Sequence, residues 1–193
     1  MSVAENASPR WKKAAGLIAL GLLGAAVGAG LVTFTEGRFS SWEDELNFFL
    51  GAVLVLMALV TGVLMAARPA STPKGFGALQ IAVLCLAGAM LMLPILAPAE
   101  WQSPWVFGAV IGLLIVQSVL NLILWNRSDE LIRRVTGETS ALSFWVLQGA
   151  LLVYASAERL GLVETISGWG LLAILMSVYL LASMVAAWRR GLT

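Results

Sequence analysis

The sequence predicts an all-α polytopic membrane protein, a six-transmembrane-helix bundle with both termini in the cytoplasm. Three observations carry that expectation. Of 193 residues, 60% are hydrophobic and 12% charged, against about 25% charged in soluble domains. A soluble core of this size cannot hide so much apolar surface, so the bilayer has to serve as solvent for most of it. Six windows each offer the roughly 20 mostly apolar residues that a spanning helix needs. Third, basic residues fall almost entirely into alternate connections.

Residues 1–13 form a cytoplasmic N-terminal segment with Arg10, Lys12 and Lys13, and a single transmembrane domain is expected over 14–193. Span one is expected over about 14–34. Its apolar run exceeds the roughly 7–15 residues of a signal-peptide core, so it is read as a span rather than a cleaved leader. Gly16, Gly21, Gly24, Gly28 and Gly30 crowd it with small residues. Such spacing lets backbones approach closely, either between copies or against a neighbouring span such as three, which carries Gly77 and Gly88.

Ahead of span two (46–67), residues 39–45 place Glu43, Asp44 and Glu45 in sequence beside aromatics. Consecutive carboxylates point different ways on a helix, so a solvated cap is favoured over a cation site. Arg68-Pro69 and Pro73-Lys74-Gly75 lead to span three (76–96), where Cys85 sits mid-span as a small hydrophobe. Pro98 and Ser103-Pro104 precede span four (105–125), with Pro104 suited to a helix's first turn. Span five is expected over 139–157 and span six over 166–188, divided by Glu158-Arg159 and Gly161. Loops this short make consecutive helices antiparallel neighbours.

Orientation follows from the basic residues. Arg10, Lys12, Lys13, Arg68, Lys74, Arg127, Arg133, Arg134, Arg189 and Arg190 share one side, and only Arg38 and Arg159 the other. Ten against two places both termini inside. Tryptophans give the same frame: Trp11, Trp125, Trp145 and Trp188 mark the inner edge, and Trp42, Trp101, Trp105 and Trp169 the outer one.

Several functions are excluded. With no His and one Cys, there is no His/Cys zinc cluster, catalytic imidazole or intramolecular disulfide. A net charge of +1 is no nucleic-acid footprint. No catalytic, cofactor-binding or metal constellation is legible, and no charge lies mid-span, which argues against a proton pathway. What remains at depth is neutral: Gln80, Gln117, Asn121, Gln148 and Thr61 form a candidate polar interior. Gln117 and Asn121, four apart, share a helix face. Such groups either line a solute pocket or join helices by hydrogen bonds of about 0.6 kcal/mol each.

The most specific local pattern precedes span five. Asn126 or Ser128 can cap a helix, and acid-first pairs Asp129/Arg133 and Glu130/Arg134 stand at i,i+4, with Glu138 four beyond Arg134. The spacing predicts that span five begins about two turns early, as a charged cytoplasmic stem. Asp129, Glu130, Arg133, Arg134, Val135 and Glu138 resemble a pattern in a group of small, functionally uncharacterised bacterial membrane proteins, Asp-Glu-x-x-Arg-Arg-x-x-x-Glu just before a span. The next position, commonly Ala there, is Thr139 here. The likeness covers about 30 residues and implies a bacterial plasma membrane setting but no activity. The stem either fixes topology or docks a partner or lipid head groups.

The functional expectation is a non-catalytic accessory or interaction subunit, surrounded by lipid bilayer and paired with a membrane-protein partner or a second copy. The alternative is a small-solute permease or channel lined by the neutral polar residues. Nucleic acid is not an expected partner.

Overall fold

The computed structural model describes residues 24–26, 28–39, 41–67, 76–98 and 100–190. Contacts cluster the chain into two units, Met1–Ser40 and Ser41–Thr193. The first contains α1, Gly24–Thr35, an apolar helix. Gly16 and Gly21 of the small-residue stripe lie outside the described residues.

The second unit holds five helices: α2 (Trp42–Ala67), α3 (Phe76–Leu96), α4 (Ser103–Arg127), α5 (Glu130–Arg159) and α6 (Gly168–Arg189). Each is long and apolar enough to cross a membrane. Among the described residues all regular structure is helical. The chain is an all-α membrane protein.

Local chemistry explains where these helices begin. α2 starts four residues before the expected window, because Ser41 Oγ accepts from the Asp44 amide at 3.2 Å. Glu43, Asp44 and Glu45 then fill its first turn, where carboxylates complement the helix dipole. The acidic segment is thus the opening turn of a span. α4 begins at Ser103 with proline in its first turn, as expected of Pro104. α5 begins at Glu130 and runs unbroken for 30 residues, so the charged stem and span five are one helix. Its N-cap is Asp129, which accepts from the Ile132 amide at 2.8 Å, and not Asn126 or Ser128. Ser128 instead closes α4, its hydroxyl donating to the Leu124 carbonyl at 2.8 Å.

Within this unit the packed pairs are α2–α3, α3–α4, α5–α6 and α2–α6. The helices therefore lie in the order α4, α3, α2, α6, α5. Short loops do make α2/α3, α3/α4 and α5/α6 neighbours. The expectation fails for α4 and α5, which two residues connect yet which are not a packed pair. Ser128 and Asp129 are both extended, and that carries α5 away from α4. The core forms where three helices meet, around Leu50 and Leu54 of α2, Leu91 of α3 and Ala173 of α6.

Lipid gives helices no hydrophobic reason to associate, so close packing has to hold them. α6 achieves it with small buried residues, Gly170, Ala173, Ala182 and Ala186. A close backbone crossing joins α2 and α3 at Gly51 and Gly88. A Cβ on Gly88 would stand 2.7 Å from the Gly51 carbonyl oxygen and 2.7 Å from Val55 Cγ2.

Candidate functional site

The five candidates for a polar interior do not converge. Gln80, Asn121 and Gln148 are exposed, while Gln117 and Thr61 are half-buried. The Thr61 hydroxyl donates to its own helix, to the Met57 carbonyl at 2.7 Å. None of the four amide side chains has a hydrogen-bond partner among the described residues.

The described grooves are lined by other residues. An apolar groove of about 420 Å³ runs between α5 and α6 past Leu147, Leu151, Tyr154, Ile166, Leu171 and Leu175. A second, of about 600 Å³, lies where α3 ends and α4 begins, beside Pro94, Trp101, Phe107 and Trp169. Among the described residues no three His, Cys, Asp or Glu side chains gather.

Ordered polar structure sits instead at the helix ends. Where α2 and α6 both begin, the Glu43 carboxylate accepts from the Ser167 hydroxyl, and from the Ser167 amide at 3.4 Å. Ser167 Oγ in turn caps α6, accepting from the amides of Trp169 and Gly170 at 3.2 and 3.1 Å. Trp169 Nε1 donates to Asp44 Oδ1 at 3.0 Å. Below this latch, Asn47 is fully buried. Its Nδ2 donates to the Glu43 carbonyl at 3.0 Å and to the Trp169 carbonyl at 3.1 Å. Two carbonyls around one nitrogen fix which way the amide faces, and they leave Oδ1 unpaired. A Cβ on Gly170 would lie 2.8 Å from Glu43 Oε1, so any larger residue there would have to push the carboxylate aside. Nearby, Tyr154 of α5 accepts from the Ile166 amide at 2.7 Å and donates to the Glu164 carbonyl at 3.3 Å.

The opposite end carries the stem, with pairings other than those the spacing suggests. Arg134 does pair with Glu130 at 3.0 Å. Arg133 does not bind Asp129, whose carboxylate caps α5; it donates to the Trp125 and Asn126 carbonyls at 3.2 and 3.1 Å. Its guanidinium also lies 6.0 Å from the Trp125 ring centroid. Arg133 thus satisfies the open carbonyls at the end of α4. Glu138 is bound not by Arg134 but by Arg189 at 3.2 Å and Arg190 at 2.8 Å, tying α5 to the end of α6.

Sequence reasoning missed the Glu43–Asn47–Ser167–Trp169 latch and the two arginines on Glu138. Ser167 before Gly168-Trp169-Gly170 is a readable helix start. Partners more than 120 residues away along the chain are not readable from spacing.

This geometry defines an integral membrane protein with helix-end polar clasps. Comparison with known protein families, with curated proteins and with solved structures finds no match.

Proposed function

We propose that the chain is a non-catalytic accessory or interaction subunit of the bacterial plasma membrane, working by lateral association with another membrane protein or with a second copy. The observation that carries this reading is the set of amides left without partners. Gln117, Asn121 and Gln148 lie within apolar helices, and none has a hydrogen-bond partner among the described residues. In hydrocarbon an unpaired amide costs several kcal/mol, which association with another chain offsets. α4 adds to this, since it has no buried residue along 25 positions. The basic-residue asymmetry and the likeness around 126–139 support the bacterial plasma membrane.

The permease alternative needs a polar wall along a cavity, and no described groove is lined by Gln80, Gln117, Asn121, Gln148 or Thr61. Purification in mild detergent, followed by mass spectrometry of the intact complex, tests the proposal. A stoichiometric complex with another membrane protein, or a homo-oligomer, is the expected result. A lone monomer that carries small solutes across proteoliposomes would overturn it in favour of transport.

A further inference from the structure

The most demanding of the unpaired amides is Gln148. Along α5 it stands ten residues from Glu138 on one side and ten from Glu158 on the other. At about 1.5 Å rise per residue each half spans about 15 Å, half of a hydrocarbon core about 30 Å thick. Gln148 therefore lies at the bilayer midplane, too deep for its short side chain to reach either interface. It is exposed on the chain's surface.

Among the described residues no side chain hydrogen-bonds to it. Over 14–34 the only side chain able to hydrogen-bond is Thr33, near one end. The hydroxyls of Thr61, Ser118 and Ser177 bond to carbonyls of their own helices. Gln117 is on the half-buried side of α4.

We propose that Gln148 is the centre of a homodimer interface, in which α5 packs against α5 of a second copy about a two-fold axis along the membrane normal. This deepens the association reading and rests on it. Two features select a second copy over other occupants. Around Gln148, the exposed residues Ala141, Phe144, Leu151 and Ala155 follow the alternating three- and four-residue spacing of a helix–helix seam, with small residues at both ends. Within the second unit α6 packs on the face of α5 that carries Leu142, Leu147 and Tyr154, with Leu151 at the rim of the groove between the two helices. The second feature is chemical. A primary amide is both donor and acceptor, and a two-fold axis brings each Gln148 to its own copy at the same depth. Two reciprocal hydrogen bonds then satisfy both side chains, and a polar residue at one seam position fixes register, as in coiled coils.

The test is oxidative cross-linking in native membranes, in a Cys85→Ala background. Single cysteines replace Ala141 and Ala155 on the seam, and Val146 and Val153 off it, the latter pair 54% and 70% exposed. Disulfide-linked dimers are expected from positions 141 and 155 and not from 146 and 153. Adding Gln148→Leu should lower the dimerisation constant about tenfold, while Gln148→Asn should preserve it. Equal cross-linking at all four positions, no cross-linking at any, or indifference to Gln148→Leu would overturn the homodimer. Linkage from 141 and 155 to a different protein would overturn the homodimer while leaving the accessory reading standing. A lone, solute-carrying monomer would sink both.

Discussion

Arg133 and Arg134 are adjacent and alike in charge, yet they do different work. Arg133 spreads its guanidinium over two carbonyls at the end of α4 and faces the Trp125 ring. Arg134 meets only Glu130, and both of those side chains are more than 60% exposed. A lysine ammonium cannot reproduce the planar fork. Arg133→Lys should therefore lower stability by about 1 kcal/mol, read as a lower midpoint of thermal unfolding in detergent. Arg134→Lys should change that midpoint little, because exposed pairs contribute about 0.3–0.5 kcal/mol. If Arg134→Lys folds normally but loses a co-purifying partner, the stem is a docking element; if it loses nothing, the stem serves topology and helix capping. Equal destabilisation by both substitutions would contradict this division. The sequence made the stem's helix legible, because acid-before-base spacing is local information. It could not show that Glu138 would turn to Arg189 and Arg190, because that choice depends on how α5 meets α6.

Helices in this protein are positioned by how closely their backbones approach, and glycine spacing reveals only half of that. Four-residue spacing marks span one, and Gly77 and Gly88 make span three a candidate neighbour for it. In the structure Gly88 lies against Gly51 of α2. Spacing identifies a face that tolerates close approach, but every helix with such a face is an equal candidate until packing chooses among them. The consequence is measurable. Gly88→Ala places a Cβ 2.7 Å from a backbone oxygen and a branched side chain, so α2 and α3 must separate. A loss of about 1–3 kcal/mol is expected, the range for overpacked cores. Gly112→Ala, on α4, meets open space and should be neutral or slightly stabilising, since alanine is the better helix former. Thermal unfolding of both variants in detergent checks the contrast. Equal behaviour would mean that the α2–α3 crossing is not the close contact described. Helix ends obeyed local chemistry more faithfully: Pro104 and the stem start helices where expected, and Ser41 drew α2 four residues earlier than its hydropathy alone suggests.

At the scale of the molecule, membrane character and the existence of spans two to six were legible in composition and window length, whereas the order α4, α3, α2, α6, α5 was not. Two extended residues between α4 and α5 suffice to keep chain neighbours from packing, and a hydropathy profile does not register them. Orientation can be argued from both sources. The Glu43–Ser167 and Asp44–Trp169 hydrogen bonds place the starts of α2 and α6 at one end. The Glu138 ion pairs join the stem of α5 to the last turn of α6 at the other. Arg133, Arg134, Arg189 and Arg190 thus belong to one end of the α5–α6 pair, and Arg159 closes α5 at the other. If basic residues are retained in the cytoplasm, this end faces inward. In a Cys85→Ala background, a cysteine at Ser103 should react in intact cells with an impermeant thiol reagent. One at Asn126 should react only after the membrane is permeabilised. Both positions are exposed; Ser128, in the same turn as Asn126, is buried and bonded to Leu124, and would report access to the fold rather than sidedness. Labelling of Asn126→Cys from outside, with protection of Ser103→Cys, would invert the molecule. It would also place the Glu138 clasp on the extracytoplasmic face, where a cytoplasmic partner could not reach the stem.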